Sequence, residues 1–234
     1  MATAMITDQA LYQLVSWLSP GFPVGAYAYS HGLEFAVEEE RVTDETTLRQ
    51  WVEAIISYGA GRSDAILFCA AWRAVDGDDA AALENAVILA DAHRGTSEMA
   101  LESSAQGTAF IQTVQACWTS SAFDRWVAVL NNTERPISYA IAVAVAAASA
   151  GVPLRSALIV YLQAFSANLI SAGVRLVPLG QTAGQKVQAA LQEIVIAAAD
   201  AGLARSLDDI GVAAPLVDWT SAQHETQYTR LFRS

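Results

Sequence analysis

The sequence predicts an all-α protein, a single-domain helical bundle of about eight to ten helices with one central apolar helix. Apolar residues recur at helical spacing along most of the chain, whereas the strict alternation typical of a strand is hard to find. Alanine, the strongest helix former, supplies about a fifth of the 234 residues. Glycine, proline and paired turn residues stand between the periodic segments, where helices must end. No Pro- or Ser-rich linker interrupts this pattern, so we expect one domain over residues 1–234.

The apolar stripes can be followed in chain order. The first two stripes place apolar residues at i, i+3, i+4 and i+7, and they consist of Leu11, Leu14, Val15 and Leu18, and of Leu48, Trp51, Val52 and Ile55. Residues 154–169 carry apolar side chains on more than one side, as is typical of a helix enclosed by others. A further stripe runs through residues 187–198. The expected N-cap residues are Asp8, Asp44, Ser63, Asp78 and Thr96.

The charge balance disfavours two classes of partner. Lys and Arg number 13 against 24 Asp and Glu, which gives a net charge of −11, and the basic residues are scattered singly. We therefore expect no binding to nucleic acid and none to a membrane surface, because both attract basic patches. The longest apolar run, residues 137–152, is shorter than the roughly 20 residues that a spanning helix needs. The N-terminus lacks the pattern of a signal peptide, so the sequence predicts a cytoplasmic protein.

One segment resembles a catalytic motif. Residues 28–32 read A-Y-S-H-G, similar to the G-x-S-x-G nucleophile elbow with its first Gly replaced. This motif predicts, as an alternative function, a small-molecule serine hydrolase that uses Ser30 and His31. The elbow requires a preceding strand, whereas residues 25–40 favour a loop that enters a helix, so we expect no catalytic residue. Residues 180–187 likewise depart from the spacing of a phosphate-binding loop.

The histidines and cysteines do not predict a metal centre. The chain has three His, and Cys69 and Cys117 lie far apart in apolar stretches, where we expect them to be buried core residues. His224 and Glu225 begin like H-E-x-x-H, but Tyr228 occupies the place of the second His. We therefore expect no metal ligands.

Three segments combine polar, aromatic and Gly or Pro residues in a way that helix packing alone does not require. Aromatic and arginine side chains on rigid segments are typical anchors of protein–protein contacts, so these segments are predicted partner-binding sites. The predicted residues are Phe22, Pro23, Tyr27, Tyr29, His31 and Glu34 in the first segment, Arg175 and Gln181 in the second, and His224, Glu225, Tyr228, Arg230, Phe232 and Arg233 in the third.

Each segment also has a structural interpretation. Phe22 would fit into the core within an ordinary connection between helices. Arg175 would cap the last carbonyls of a helix, or it would offer a planar charged fork to a carboxylate or phosphate of a partner. The C-terminal tail, about residues 218–234, carries a Tyr, a Phe and two Arg to its end and is predicted to dock on a partner, although docking on its own domain fits the same pattern.

The same three segments resemble the urease accessory protein UreF family. The resemblance runs through S-P-G-F-P-V-G and Y-S-H-G-L-E near the start and Y-L-Q-A-F-S-A-N-L-I-S-A-G-V-R-L-V-P-L-G-Q-T in the middle. It ends with P-L-V-D and H-E-T-Q-Y-T-R-L-F-R-S. Order and spacing agree over essentially the whole chain, with departures at Ala26, Ala28 and Gln227 and in residues 96–102, which keep acidic residues but lack the Arg residues expected there.

This resemblance implies a chaperone of metallocentre assembly and not an enzyme. Family members resemble all-α dimers that bridge UreD, also called UreH, to the nickel-carrying GTPase UreG, so that nickel reaches apo-urease while GTP is hydrolysed. For this chain the resemblance implies a homodimer with no cofactor of its own, whose partner complex handles nickel and GTP. Direct nickel cation binding and the shaping of a nickel path are both compatible with it.

The resemblance also implies roles for particular residues. By similarity, Arg175 influences the GTPase step of the partner, either by accelerating GTP hydrolysis or by restraining it until assembly is complete. The Pro-rich loop, residues 19–25, and the C-terminal segment are similar to regions that contact UreD or order the dimer.

Overall fold

Twelve α-helices occur in the part of the chain that the structure, a computed structural model, describes: residues 5–118 and 120–234. These ranges contain no strand. In chain order the helices are α1 Asp8–Trp17, α2 Leu33–Glu38, α3 Glu45–Tyr58, α4 Ala60–Asp76, α5 Ala80–Ala92, α6 Ser97–Cys117, α7 Ser121–Asn132, α8 Tyr139–Ser149, α9 Leu154–Leu176, α10 Gln181–Ala190, α11 Gln192–Leu203 and α12 Pro215–His224. The predicted all-α single-domain class is confirmed.

The helices outnumber the expected range because two of the boundaries carry no strong sequence signal. Helix α10 passes into α11 at Leu191, whose backbone (φ −85°, ψ −4°) ends one helix and begins the next without a glycine or proline. Helix α2 has only six residues, too few for a periodic stripe to be recognised in the sequence.

Side-chain caps fix several helix starts at or near their expected places. Asp44 and Thr96 cap α3 and α6 as predicted. The caps of α1 and α5 are Thr7 and Asp79, each one residue from the predicted position. The prediction for Ser63 is wrong, because α4 begins three residues earlier and Ser63 lies within it.

The core is built around α8 and α9. Every residue from Ala140 to Ala147 is buried, and α8 packs mainly on α4 and α6. The backbones approach closely at Gly107 of α6, where an added Cβ would lie 2.1 Å from the carbonyl oxygen of Ile137. Helix α9 contacts α1, α2, α3, α4, α8, α10 and α11, which is the position expected of the predicted central apolar helix.

Among the described residues, α9 is the one helix long and apolar enough to cross a membrane, with a mean hydropathy of 1.6 over its most apolar stretch. Half of that stretch is buried inside the bundle. Burial among the other helices accounts for this apolar character, because a central helix must be apolar on several sides.

The two cysteines differ in their environments. Cys69 is buried in α4 as predicted, and burial raises the pKa of its thiol to about 11. The prediction that Cys117 is buried is wrong, because this residue is exposed at the last position of α6. Cys117 lies with Gln115 and Ala116 among exposed residues of the last turn of α6, whereas Trp118, the next residue, packs against the core.

Candidate functional site

The C-terminal segment that follows α12, residues 225–234, lies against α2, α6 and residues 28–31 of the loop before α2. We call it the tail. Phe232 and Ser234 are buried, whereas Tyr228, Leu231 and Arg233 are exposed. The residues outside the tail that hold it, here called the tail anchor, are Ser30, His31, Glu34, Glu98, Glu102, Arg175 and His224.

Glu34 on α2 is the central acceptor of the anchor. Its Oε1 accepts a hydrogen bond from the backbone N–H of Leu231 at 2.7 Å, and its Oε2 accepts one from the N–H of Phe232 at 2.9 Å. His224 Nε2 lies 3.1 Å from the same Oε2. A buried carboxylate is stable only when donors replace its lost water, and these three donors meet that need.

A glycine at the start of α2 allows this approach. Gly32 has φ +76°, in the left-handed region that favours glycine. A Cβ at this position would lie only 2.8 Å from the backbone nitrogen of Ser221 in α12. Gly32 therefore permits α2 and α12 to pack closely enough for Glu34 to reach His224.

His224, fully buried at the end of α12, lies between two carboxylates. Its Nδ1 is 2.7 Å from Glu98 Oε2 on α6, and its Nε2 faces Glu34 on α2. Both ring nitrogens of this imidazole therefore face a carboxylate oxygen. Arg230 of the tail donates to the other oxygen of Glu98 at 2.8 Å. One glutamate thus links α6, α12 and the tail.

The last residue of the chain is held by the loop that precedes α2. The N–H of Ser30 donates to the Ser234 carbonyl at 2.8 Å, and the hydroxyl of Ser30 donates to the same oxygen. Glu102 of α6 accepts a hydrogen bond from the Ser234 hydroxyl at 2.9 Å and lies 3.2 Å from His31 Nδ1. These contacts fix both the tail and the loop.

The Ser30–His31 pair is not arranged as a catalytic dyad. The Ser30 hydroxyl is engaged by Ser234, and the His31 ring faces Glu102, while its Nε2 has no hydrogen-bond partner in the described ranges. Both side chains are buried. A general base must lie within hydrogen-bond reach of its nucleophile, and this pair shows no such contact.

Arg175, in the last turn of α9, joins the loop to the tail. Its Nη2 donates to the Tyr27 carbonyl at 2.8 Å, and its Nε donates to the Ser171 carbonyl at 3.2 Å. The guanidinium lies 4.4 Å from the ring centroid of Phe232, a cation–π contact. Burial lowers the pKa of Arg175, and its bond to Ser171 is the helix-end contact expected of the structural interpretation.

The other predicted residues divide into neighbours of the tail and residues that lie elsewhere. Glu225 accepts hydrogen bonds from the N–H and hydroxyl of Ser97, at the start of α6. Tyr29 is buried. Phe22 stacks on Phe110 of α6, with ring centroids 5.3 Å apart, as in the structural interpretation of the loop. Pro23 is exposed in that loop, and Gln181 is exposed at the start of α10.

Sequence reasoning missed three members of the site: Glu98, Glu102 and Ser234. The spacing of Glu98 and Glu102 was an available signal, because residues four apart share one face of a helix. Two carboxylates on one helical face need cationic or donor partners if that face is buried. Nothing local to the sequence identified Ser234 as one of those donors.

In residues 5–118 and 120–234, no group of three or more His, Cys, Asp or Glu side chains is arranged to hold a metal ion. The anchor illustrates the difference between such a group and an ion-pair network. Both ring nitrogens of His224 face carboxylates, so the imidazole has no free nitrogen for a metal ion.

Comparisons with known proteins give the family. The UreF family model matches residues 42–192. The chain is 49% identical over 232 residues to "Urease accessory protein UreF" of Granulibacter bethesdensis, covering 99% of this chain and 97% of the relative. It is 48% identical over 225 residues to the protein of the same name from Rhodopseudomonas palustris strain HaA2, covering 96% and 94% of the two chains.

A third relative gives the same result. The protein named "Urease accessory protein UreF" in Bradyrhizobium sp. strain ORS 278 is 46% identical over 225 residues, which cover 96% of this chain and 92% of the relative. The family model stops before the tail, but the relatives extend over nearly the full length of the chain. The chain belongs to the UreF family of urease accessory proteins.

Proposed function

We propose that the chain is a scaffold of urease maturation that bridges the UreD/UreH accessory protein to the GTPase UreG during nickel insertion into apo-urease. In this proposal it acts in the cytoplasm as a homodimer and has no catalytic role. It needs no cofactor of its own, because the partner complex handles nickel and GTP.

The observation that supports the proposal is the way in which the tail is presented. Buried groups hold the tail through charge-assisted hydrogen bonds, while Tyr228, Leu231 and Arg233 project into solvent. Tyr27, also exposed, lies beside Arg175 with 5.8 Å between the guanidinium and the ring centroid. Tyrosine and arginine are the residues most often found to anchor interfaces, and a rigid surface loses little entropy on binding.

Arg175 is the residue through which the scaffold would influence the GTPase step. It lies where α9, the segment before α2 and the tail meet, so a partner that displaces the tail would also change the contacts of Arg175. In this proposal, a change in the contacts of Arg175 either accelerates GTP hydrolysis by UreG or restrains it. They are distinguished by measuring GTP turnover of UreG with the wild-type chain and with Arg175→Ala.

The bridging role is tested by affinity purification of the tagged full-length chain from cells that express the urease operon. Recovery of UreD, UreG or urease subunits is expected. Tyr228→Ala removes a fully exposed ring, so the fold is unaffected, and recovery of one partner should fall at least about fivefold. The control is Tyr12→Ala, which removes an exposed tyrosine on α1. Equal recovery with both variants would contradict the docking role of the tail.

A further inference from the structure

An open groove of about 740 Å³ lies between the end of α2, the outer face of α3 and the start of α12. We call it the α3–α12 groove. It contains none of the residues of the tail or the tail anchor. The lining residues that matter here are Glu39, Glu40, Trp51, Tyr58 and Leu216.

The walls of the groove are apolar and exposed to solvent. Tyr58 on α3 is 58% exposed and Leu216 on α12 is 42% exposed, although both are large apolar side chains. Trp219, on the next turn of α12, is also partly exposed. Several exposed large apolar groups around one concavity are typical of a surface that another molecule covers.

Trp51 adds a polar feature to this apolar surface. Its side chain lines the groove, the residue is only 7% exposed, and its indole N–H has no acceptor in the described ranges. A buried donor without an acceptor is destabilising. The indole nitrogen is out of contact with solvent, so this N–H reports on changes in the groove wall and is not itself a contact for an occupant.

The rim of the groove carries a net negative charge, because Glu39 and Glu40 outnumber Arg41, which also lines it. Glu39 and Glu40 are exposed, and neither forms an ion pair with another described residue. Arg41, the next residue, lies over the ring of Trp219 at 5.3 Å from its centroid. Two such carboxylates beside an apolar wall complement a ligand that is both apolar and cationic.

We propose that the α3–α12 groove binds a segment of a partner protein in which an apolar side chain lies beside Lys or Arg. The apolar side chain covers Tyr58 and Leu216, and the cation approaches Glu39 and Glu40. This gives the protein a second interaction surface, independent of the tail and of the proposed bridging role.

The test uses the purified full-length chain and a short fluorescent peptide of leucine and lysine at helical spacing, with binding followed by fluorescence anisotropy at physiological ionic strength. Saturable binding is expected, and Leu216→Ser and the double variant Glu39→Gln/Glu40→Gln should each weaken it at least about fivefold. The same peptide with glutamate in place of lysine should not bind. Saturable binding of that acidic peptide would overturn the proposal.

A matched control is available on α5, where Glu84 is exposed and Ile88, one turn later, is 48% exposed. Glu84→Gln/Ile88→Ser should leave peptide binding unchanged. Equal weakening by this control would show attraction to the acidic protein as a whole and would overturn the proposal. A fall in oligomer mass on Leu216→Ser, measured by sedimentation, would also overturn it, because the groove would then be an interface between copies.

A second measurement reports on the indole directly. In a ¹H–¹⁵N spectrum the side-chain N–H signal of Trp51, identified by its loss in Trp51→Phe, should shift when the peptide is added. The indole signals of tryptophans outside the groove should stay in place. A Trp51 signal that does not move at saturating peptide would contradict occupancy of the groove.

Discussion

The α8 core and the tail anchor both exclude water, but different forces hold them together. The buried face of α8 is made of Ala, Val and Ile side chains, whose burial is stabilising whatever their exact orientation. The tail anchor consists of carboxylates, imidazoles, one hydroxyl and one guanidinium, each of which needs a particular donor or acceptor. In the core, a substitution should therefore lower the free energy of unfolding in proportion to the apolar volume that it removes. In the anchor, a substitution that removes one charge without changing the shape of the side chain should be enough to release the tail.

The largest expected effect is on the core. Phe110 on α6 is fully buried and packs edge-to-face or tilted against Trp17, Phe22 and Tyr139, so Phe110→Ala should lower the free energy of unfolding by about 4 kcal/mol. Phe110→Leu keeps most of the apolar volume and should lower it by about 1 kcal/mol. Urea denaturation followed by circular dichroism measures both. An equal decrease in the free energy of unfolding for the two variants would mean that the stability of the core does not depend on the volume removed.

The next effect is on the anchor, where a change of the same shape should be damaging. Glu34→Gln removes the charge that holds His224 and two tail amides, and it should favour tail release by about 3 kcal/mol. Once the tail is released, the peptide bond after Arg230 becomes accessible, and trypsin should cleave it on the order of a hundredfold faster than in the wild-type chain.

Glu38→Gln is the control for Glu34→Gln, because Glu38 lies one turn later on α2 and is exposed, and among the described residues its carboxylate accepts a hydrogen bond only from the exposed Gln227 amide of the tail, which glutamine can still accept. Its rate of cleavage after Arg230 should match that of the wild-type chain. If Glu34→Gln were cleaved no faster than Glu38→Gln, shape and not charge would hold the tail.

A smaller effect is expected at Arg175, which lies at the edge of the anchor. Arg175→Ala removes the bond to the Tyr27 carbonyl and the contact with Phe232, which should weaken tail docking by about 1 kcal/mol while the core stays intact. Urease activation in cells should fall. Arg175→Lys keeps the charge without the planar fork and should restore activation only in part. Normal activation by Arg175→Ala would refute the proposed role of this residue.

The smallest perturbation is a chemical probe that changes no residue. Ellman's reagent should modify Cys117 in the native protein, because this thiol is exposed. Cys69 should react on the order of a hundredfold more slowly, since burial blocks access and raises the pKa of its thiol to about 11. Complete reaction of Cys69 within the time that Cys117 needs should require denaturant. Rapid native reaction of both thiols would show that the core opens locally.

Much of the fold could be predicted from the sequence because helix signals are local. The stripe around Leu48 and Trp51 and the caps at Asp44 and Thr96 each depend on residues within four positions of one another. The break at Leu191 could not be predicted, since no turn residue marks it. The candidate site was predicted only in part: the sequence singled out Glu34, Arg175 and His224 but not the glutamates of α6 that complete the anchor.

The sequence by itself determined the all-α class, the family and the segments with unusual composition, because these depend on residue types and on spacing along the chain. Only the tertiary structure decided which segments meet. His224 and Glu34 are 190 positions apart, and Ser234 reaches Ser30 across 204. Such contacts depend on how the helices pack, and no local pattern encodes that packing. The tertiary structure also placed Phe22 against Phe110 of α6 and Gln181 outside the tail anchor.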